Sequence, residues 1–308
     1  MKLIRGLNSI KLDKKGCVAT IGNFDGLHLG HQKIINKLKI KATSLGLPLT
    51  IISFEPLPVE FFMPEPPPRV YPMRDKVRLL KQLGVDNYLC LKFNQAFASM
   101  PPEDFVQKIL IDQLQVKHLA VGDDFRFGHQ RQGDFNLLKS MGDKAGMQVT
   151  DTVTCEKDGQ RISSTFIRNF LTVGDIPSAS KLLGHNYQIS GRVRHGDKRG
   201  RTIGFPTLNM RVPNHIALAR GVYAVRVNGL SSPALLGVAN LGARPTVNGT
   251  ENRLETHLFD FNKDVYGKHL CVELVEFIRA EKRFEDLGAL KAQIIDDAKS
   301  AQDILRNL

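Results

Sequence analysis

The chain has 308 residues, 42% hydrophobic and 24% charged, with 26 glycines and 15 prolines. That is about two globular domains at ~150 residues each, and it excludes a disordered, collagenous or disulfide-scaffold protein. Lys and Arg number 43 against 31 Asp and Glu, a net charge of +12, which favours anionic partners, either nucleic acid or phosphorylated small molecules. No apolar run approaches the ~18–20 residues of a membrane span. The basic stretch from Met1 to Gly16 lacks the apolar core of a secretory signal. Cys17, Cys90, Cys155 and Cys271 are too scattered for a zinc site or a disulfide framework. A cytoplasmic protein without a membrane partner is expected. The basic residues form no run of five or more, so no nucleic-acid partner is expected either.

In chain order, Cys17–Ile21 reads as a buried strand. Ile34, Ile35, Leu38, Ala42 and Leu45 then recur at helical spacing until Gly46-Leu47-Pro48. Leu49–Phe54 is a second strand, followed by a Pro-rich loop over Pro56–Pro72. Asp75–Leu83 is helical, Asp86–Phe93 a third strand, and Pro102–Leu114 a helix opened by Pro101-Pro102 before Glu103-Asp104. His118–Val121 is a fourth strand and Phe135–Ala145 a helix. Such alternation predicts an α/β, Rossmann-like domain: a parallel sheet with helices on both faces.

From about Tyr187 the character changes. Short β-rich runs cover Tyr187–Val193, Gly221–Val227, Ala234–Leu241, Arg253–Phe261 and His269–Ile278, separated by turns such as Asn228-Gly229 and Tyr266-Gly267. They predict a small antiparallel β-barrel. A final helix carries Leu287, Leu290, Ile294, Ala298, Ala301 and Leu305 down one side. The boundary falls at Gly184, giving domains of 1–184 and 185–308.

The strongest chemical signal is Gly22-Asn23-Phe24-Asp25-Gly26-Leu27-His28-Leu29-Gly30-His31, between the first buried strand and its helix. A glycine-rich strand-to-helix turn lets backbone approach a phosphate chain, and the helix start favours negative charge. His28 and His31, three apart, both reach that point. They can stabilise charge building on a phosphoryl group. A helix cap plus a surface histidine is the plainer alternative for such a pair taken alone. A second anion-ready helix start is Ile162-Ser163-Ser164-Thr165-Phe166-Ile167-Arg168, where an ordinary N-cap is again the plainer alternative. Between them, after a strand, stands Val121-Gly122-Asp123-Asp124-Phe125-Arg126-Phe127-Gly128. Its phenylalanines suit a ring face and Arg126 a phosphate, or the phenylalanines anchor a core loop. The barrel half has a basic, glycine-rich stretch from Gly191 to Asn209, closing on Gly204-Phe205-Pro206-Thr207-Leu208-Asn209. Such a loop can wrap polyphosphate. Glu255, Glu273 and Glu276 are acids on its strands that composition alone does not rank.

His28-Leu29-Gly30-His31 is similar to the HxGH turn of the nucleotidyltransferase superfamily related to class I aminoacyl-tRNA synthetases. Gly204–Asn209, Gly237–Thr246 and Glu255-Thr256-His257-Leu258 resemble motifs of riboflavin kinases. Taken in order, the chain resembles the bacterial bifunctional riboflavin kinase/FMN adenylyltransferase (FAD synthetase) family. The resemblance implies ATP, riboflavin and FMN as substrates and Mg²⁺ as cofactor. It implies that Gly22, Phe24, His28 and His31 hold ATP, with Asp123, Phe125 and Arg126 nearby and Ser163, Ser164, Thr165 and Arg168 on its phosphates. It further implies Gly204, Phe205, Pro206, Thr207 and Asn209 around a second ATP, with Thr207 and Asn209 as magnesium ligands and Glu255 as general base. Sharing a strand side with His257, Phe259 and Phe261, Glu255 is expected to point inward. Three positions depart from the family pattern. Leu57 stands where a histidine is common, Asp124 where an asparagine is, and Leu208 where a small alanine is. Two rivals stay open: a monofunctional member with one inactive site, and a basic RNA-binding protein on the same fold. Oligomeric state is not implied.

Overall fold

The computed structural model describes residues 1–7, 15–122, 124–152, 156–157, 160–196, 204–246 and 249–307. Two compact units result, the first made of Met1–Pro67 and Lys76–Ile162, the second of Pro68–Asp75 and Ser163–Leu308.

The first unit is built on a six-stranded, all-parallel sheet. Its strands are β1 (Lys2–Arg5), β2 (Cys17–Ile21), β3 (Leu49–Glu55), β4 (Asn87–Lys92), β5 (Val116–Gly122) and β6 (Gln148–Thr152), in the order β1-β4-β3-β2-β5-β6. Every residue of β2 is buried, as a central strand covered on both faces requires. Edge strand β1 has only Ile4 buried, which is why its sequence shows no strand pattern. Helix α1 (Leu29–Leu45) stops where Gly46 adopts φ 63° and ties its N–H back to Ala42 and Thr43, as the Gly-Leu-Pro signal predicts.

The segment expected as a Pro-rich loop contains a short helix, α2 (Pro58–Phe62). It is followed by α3 (Met73–Gln82) and, after β4, by α4 (Gln95–Ala98). Over 102–114 the periodicity predicts one α-helix. The chain instead passes from α5 (Pro102–Asp104) into π-helical turns over Phe105–Gln113. Those turns bury Phe105, Val106, Ile109 and Leu110, a set that an α-helix of the same length buries as well, so the pattern does not separate the two. With Leu138 of α6 (Phe135–Ala145), these side chains cover Ile52, Leu89, Leu119 and Val121 of the sheet. Each fully buried aliphatic contributes roughly 1.5–3 kcal/mol. A two-strand hairpin, β7 (Glu156–Lys157) with β8 (Gln160–Arg161), follows β6.

The second unit opens with α7 (Ser164–Val173) and α8 (Ile176–Leu183). Six antiparallel strands follow. They are β9 (Gln188–Arg192), β10 (Leu208–Val212), β11 (Gly221–Asn228), β12 (Leu235–Thr246), β13 (Gly249–Leu258) and β14 (His269–Ala280), in the order β10-β13-β12-β11-β14-β9. The Arg194 N–H donates to the Asn209 carbonyl at 2.9 Å just past the end of β9, which brings the two outer strands together and nearly closes the barrel. Helix α9 (Leu287–Arg306) lays Ala301 and Leu305 on Val222, Ala224 and Val238. Its expected apolar stripe is shortened: Leu287 is 71% exposed, and the buried face is Asp297, Ala301 and Leu305. Asp297 is tolerated there because Arg279 binds both its oxygens, Nε at 2.8 Å and Nη2 at 2.6 Å.

Candidate active sites

From β2 the chain crosses through α1 to β3 on one side, and from β4 it returns to β5 on the other. Strand order therefore reverses between β2 and β5, and open α/β sheets bind ligands outside the carboxyl ends at such a point. The turn Gly22–His28 follows β2 and the Asp124–Phe127 loop follows β5, so the topology puts two of the sequence-predicted segments side by side. Phe24 (φ 47°), Gly26 (φ 89°) and Leu27 (φ 46°) are all left-handed. For the two non-glycine residues that is a strained backbone, of the kind that persists where surrounding structure holds a functional turn.

His28 is the N-cap of α1, and its Nδ1 accepts the His31 N–H at 3.3 Å. An accepting Nδ1 puts the proton of the neutral ring on Nε2, leaving that N–H as a donor. The two imidazoles stack at 3.7 Å between centroids, and Phe24 lies 5.0 Å from His31. Burial drives the His28 pKa down to about 4, only partly offset by a backbone hydrogen bond. His31 is held well below its ordinary value, first by burial, then by His28 and Lys76. Both rings are thus neutral at pH 7. Nδ1 of His31 is buried with no partner among the described residues, and such an unmet polar atom costs about 1–3 kcal/mol until a ligand meets it.

Beneath the turn, the fully buried Lys76 of α3 donates from Nζ to the Asn23 carbonyl at 2.8 Å. Sequence reading passed over this cation. Its signal was a lysine four residues before buried Leu80, on the core-facing side of a helix. Phe127 is core, packed 5.4 Å from Phe105 and 5.5 Å from Phe125. Phe125 is half-buried against that core, while Arg126 is exposed and donates to the Phe125 carbonyl at 3.1 Å. Asp123 lies outside the described residues. At the carboxyl ends of β3 and β4, Phe61, Phe62 and Phe93 form an edge-to-face group at 5.1–5.7 Å. Phe62 in that group is 65% exposed, and the sequence reading missed it too. Leu57, at the departure from the family pattern, is buried and caps α2 through its N–H to Glu60 at 2.8 Å.

In the second unit Ser163 caps α7, accepting the Phe166 N–H at 3.4 Å, and Arg168 donates to the Thr165 hydroxyl at 3.3 Å. Ser164 opens the helix. The barrel brings a different set together. Asn209 of β10 and Asn240 of β12 both pair with Glu255 of β13. Leu254, Thr256 and Leu258 face the barrel interior, at 0–5% exposure, so Glu255 faces outward rather than inward. The inward expectation failed because Phe259, which does share that side, packs against the cluster under the C-terminal helix on the outer face, and Phe261 lies past Asp260 (φ 52°), where the alternation breaks.

Asn209 is buried, and its Oδ1 has no partner among the described residues. A Cβ on Gly196 would stand 2.5–2.8 Å from the Asn209 amide, so the loop crosses there only because residue 196 has no side chain. His257 donates through Nδ1 to the Pro206 carbonyl at 2.9 Å, and its ring meets Phe205 edge-on at 5.1 Å. These contacts tie the Gly204–Thr207 turn to the strand carrying Glu255. Leu208, paired with Thr256, lies on the interior side, away from Asn209 and Glu255. Arg244 donates to Glu255 Oε1 at 2.9 Å. A cavity of about 260 Å³ opens beside Thr207, lined also by Val193, Pro206, Thr256, Lys263 and Tyr266. The Thr256 hydroxyl is buried and unpartnered in its wall. Residues 197–203 of the basic loop lie outside the described residues.

Comparison with known proteins gives one answer for each half of the chain. A family model described as FAD synthetase matches residues 10–166, and one described as riboflavin kinase matches 183–305. The bifunctional riboflavin kinase/FMN adenylyltransferase of Escherichia coli K12 is 46% identical over 305 residues, 98% of this chain and 97% of that one. The Haemophilus influenzae protein of the same name is 45% identical over 303 residues, covering 98% of each. A crystal structure named as a macrolide-efflux protein of Streptococcus pneumoniae matches over the full length of both chains at 29% identity and a TM-score of 0.82. Among the described residues no helix is long and apolar enough to cross a membrane.

Proposed function

The chain belongs to the bifunctional riboflavin kinase/FMN adenylyltransferase family, a transferase that makes FMN from riboflavin and ATP and FAD from FMN and ATP, and from that premise we propose which residues perform each step. We assign adenylyl transfer to residues 1–184 and phosphorylation to 185–308, in keeping with the family models at 10–166 and 183–305.

In adenylyl transfer an oxygen of the FMN phosphate attacks the α-phosphorus of ATP and pyrophosphate leaves. That nucleophile is already an anion at pH 7, so no base is needed, only positioning and charge stabilisation. The turn from Gly22 through Phe24 admits the phosphates at the start of α1. His28 offers Nε2–H and His31 its buried ring as neutral donors to the phosphoryl oxygens. Buried Lys76 supplies positive potential from below. Phe125 and Arg126 stand at the end of the neighbouring strand, within the same switch point. Ser163, Ser164, Thr165 and Arg168 form a second anion-binding helix start. The exposed Phe62 and its neighbours suit the flat face of the flavin.

In phosphorylation the nucleophile is the neutral 5′-hydroxyl of riboflavin, which must lose a proton as its oxygen attacks the γ-phosphorus of ATP and ADP departs. Glu255 takes that proton. The cavity beside Pro206 and Thr207 receives the nucleoside end of ATP. The Asn209 Oδ1 atom, buried without a partner, and the Thr207 hydroxyl are oxygen donors of the kind Mg²⁺ prefers. A Mg²⁺ ion held by these two residues would supply positive charge to offset that of the ATP phosphates.

The observation that carries this reading is the register that sets Asn209 directly opposite Glu255. A time course with riboflavin, ATP and Mg²⁺, with the flavins separated by chromatography, tests it. FMN appearing first and FAD following is the expected result. FMN accumulating without FAD would put a defect in the first unit, at Leu57 or Asp124, and leave the monofunctional rival standing.

A further inference from the structure

We propose that Arg244 is a positioning residue for riboflavin phosphorylation, holding the Glu255 carboxylate by one oxygen so that the other is free to take the substrate proton. This rests on the assignment of Glu255 as the base. Register pairs Arg244 with Glu251 and Asn240 with Glu255, so the guanidinium reaches four residues along the sheet to meet Glu255 Oε1 at 2.9 Å. No other contact to Glu255 is found among the described residues, and its second oxygen stays open.

The same unit shows what a purely structural pair looks like. Arg279 grips Asp297 through both oxygens, at 2.8 and 2.6 Å, and Gln293 Nε2 donates to Oδ1 as well at 2.9 Å, so neither oxygen is left open. The pair at Glu255 differs in kind. The surrounding charges are arranged to keep it so. On the same outer face Glu251 takes Arg211 at 3.1 Å and Arg253 at 3.9 Å, while His257 is committed to the Pro206 carbonyl. Arg244 is the cation directed at Glu255. A glutamate standing outward on a strand has several rotamers, and a general base must stay within hydrogen-bond reach of the hydroxyl it deprotonates. One tether from a fork of donors selects the rotamer without closing the second oxygen.

The test is Arg244→Ala and Arg244→Lys, alone and combined with Glu255→Gln, assayed as the full chain. Arg244→Ala is expected to lower kcat for riboflavin phosphorylation ~10–100-fold, the scale of a base displaced by about 1 Å. KM for riboflavin and ATP, the readout of an intact barrel, should stay within about twofold, and FMN adenylylation should not change. Arg244→Lys and added guanidinium should each restore part of the rate. In the Glu255→Gln background, loss of Arg244 should have no further effect, because it acts only through that carboxylate.

Arg244→Ala with full kcat, beside an inactive Glu255→Gln, would overturn the positioning role and spare the base. A rise in KM alone would make Arg244 a substrate-binding group and overturn it as well. So would multiplicative effects in the double variant. Glu255→Gln with full kcat would remove the base itself, and the proposal with it.

Discussion

The candidate sites of the two units share almost no chemistry, although both reactions of the family draw on the same nucleotide. The first is a strained backbone turn with two stacked, neutral imidazoles and a buried lysine beneath. The second is an outward-facing carboxylate opposite a buried amide oxygen, with an arginine on one side and a histidine-tethered turn on the other. The nucleophile explains the contrast. A phosphate monoester arrives ionised and needs only donors that tolerate a dry pocket, whereas a hydroxyl needs a base. Family membership alone says that both reactions occur, and the side chains say why the sites differ.

The largest effect should come from Glu255→Gln, which keeps shape and removes basicity. Riboflavin phosphorylation is expected to fall ~10²–10⁴-fold while FMN adenylylation holds. Rates measured with each flavin supplied alone check this, and a loss of both would erase the distinction between the units. Next, His31→Ala should lower FAD formation ~10²–10³-fold, the scale of one lost donor at a developing charge, with phosphorylation intact.

The neutral histidines also make the first unit sensitive to acid. The folded-state pKa of His28 is about 4 against 6.5 for an unperturbed ring, so between those values the unfolded chain binds more protons than the folded one. Stability therefore falls as pH drops from about 6.5 to 4 and levels off below, by about 3 kcal/mol for His28. His28→Asn keeps a capping side chain and should flatten that slope in urea titrations at pH 7 and pH 5. An unchanged slope would show that the acid sensitivity lies elsewhere. The smallest effect expected is for Gly196→Ala, whose methyl would push on the Asn209 amide. Phosphorylation should drop about tenfold, with a rise in the Mg²⁺ needed and no change in adenylylation. A variant as active as the parent would mean that Asn209 yields without cost.

Much of this is legible in the amino-acid sequence. Alternating strands and helices, then short strands with turn signals, implied the parallel sheet and the barrel, and the Gly22–His31 turn marked its own chemistry. What escaped was what depends on neighbours distant in sequence. Strand β1 is an edge with one buried residue, too little for a pattern. Lys76 carries in its own helix no signal of its partner, because the Asn23 carbonyl is 53 positions earlier. Arg244 sat inside a motif already noticed, but its partner is on the next strand. The side on which Glu255 stands is not legible because Phe259, on the same side, is apolar for the sake of the C-terminal helix that covers the outer face, a neighbour distant in sequence.

The central claim is that the two reactions depend on different side chains, His31 in the turn after β2 for one and Glu255 on β13 for the other. The most direct test gives His31→Ala and Glu255→Gln the same mixture of riboflavin, ATP and Mg²⁺, then adds FMN, and follows all three flavins by chromatography. His31→Ala should accumulate FMN and form no FAD. Glu255→Gln should form no FMN from riboflavin yet convert added FMN to FAD. If either variant loses both steps, or keeps both, the division of labour described here is wrong.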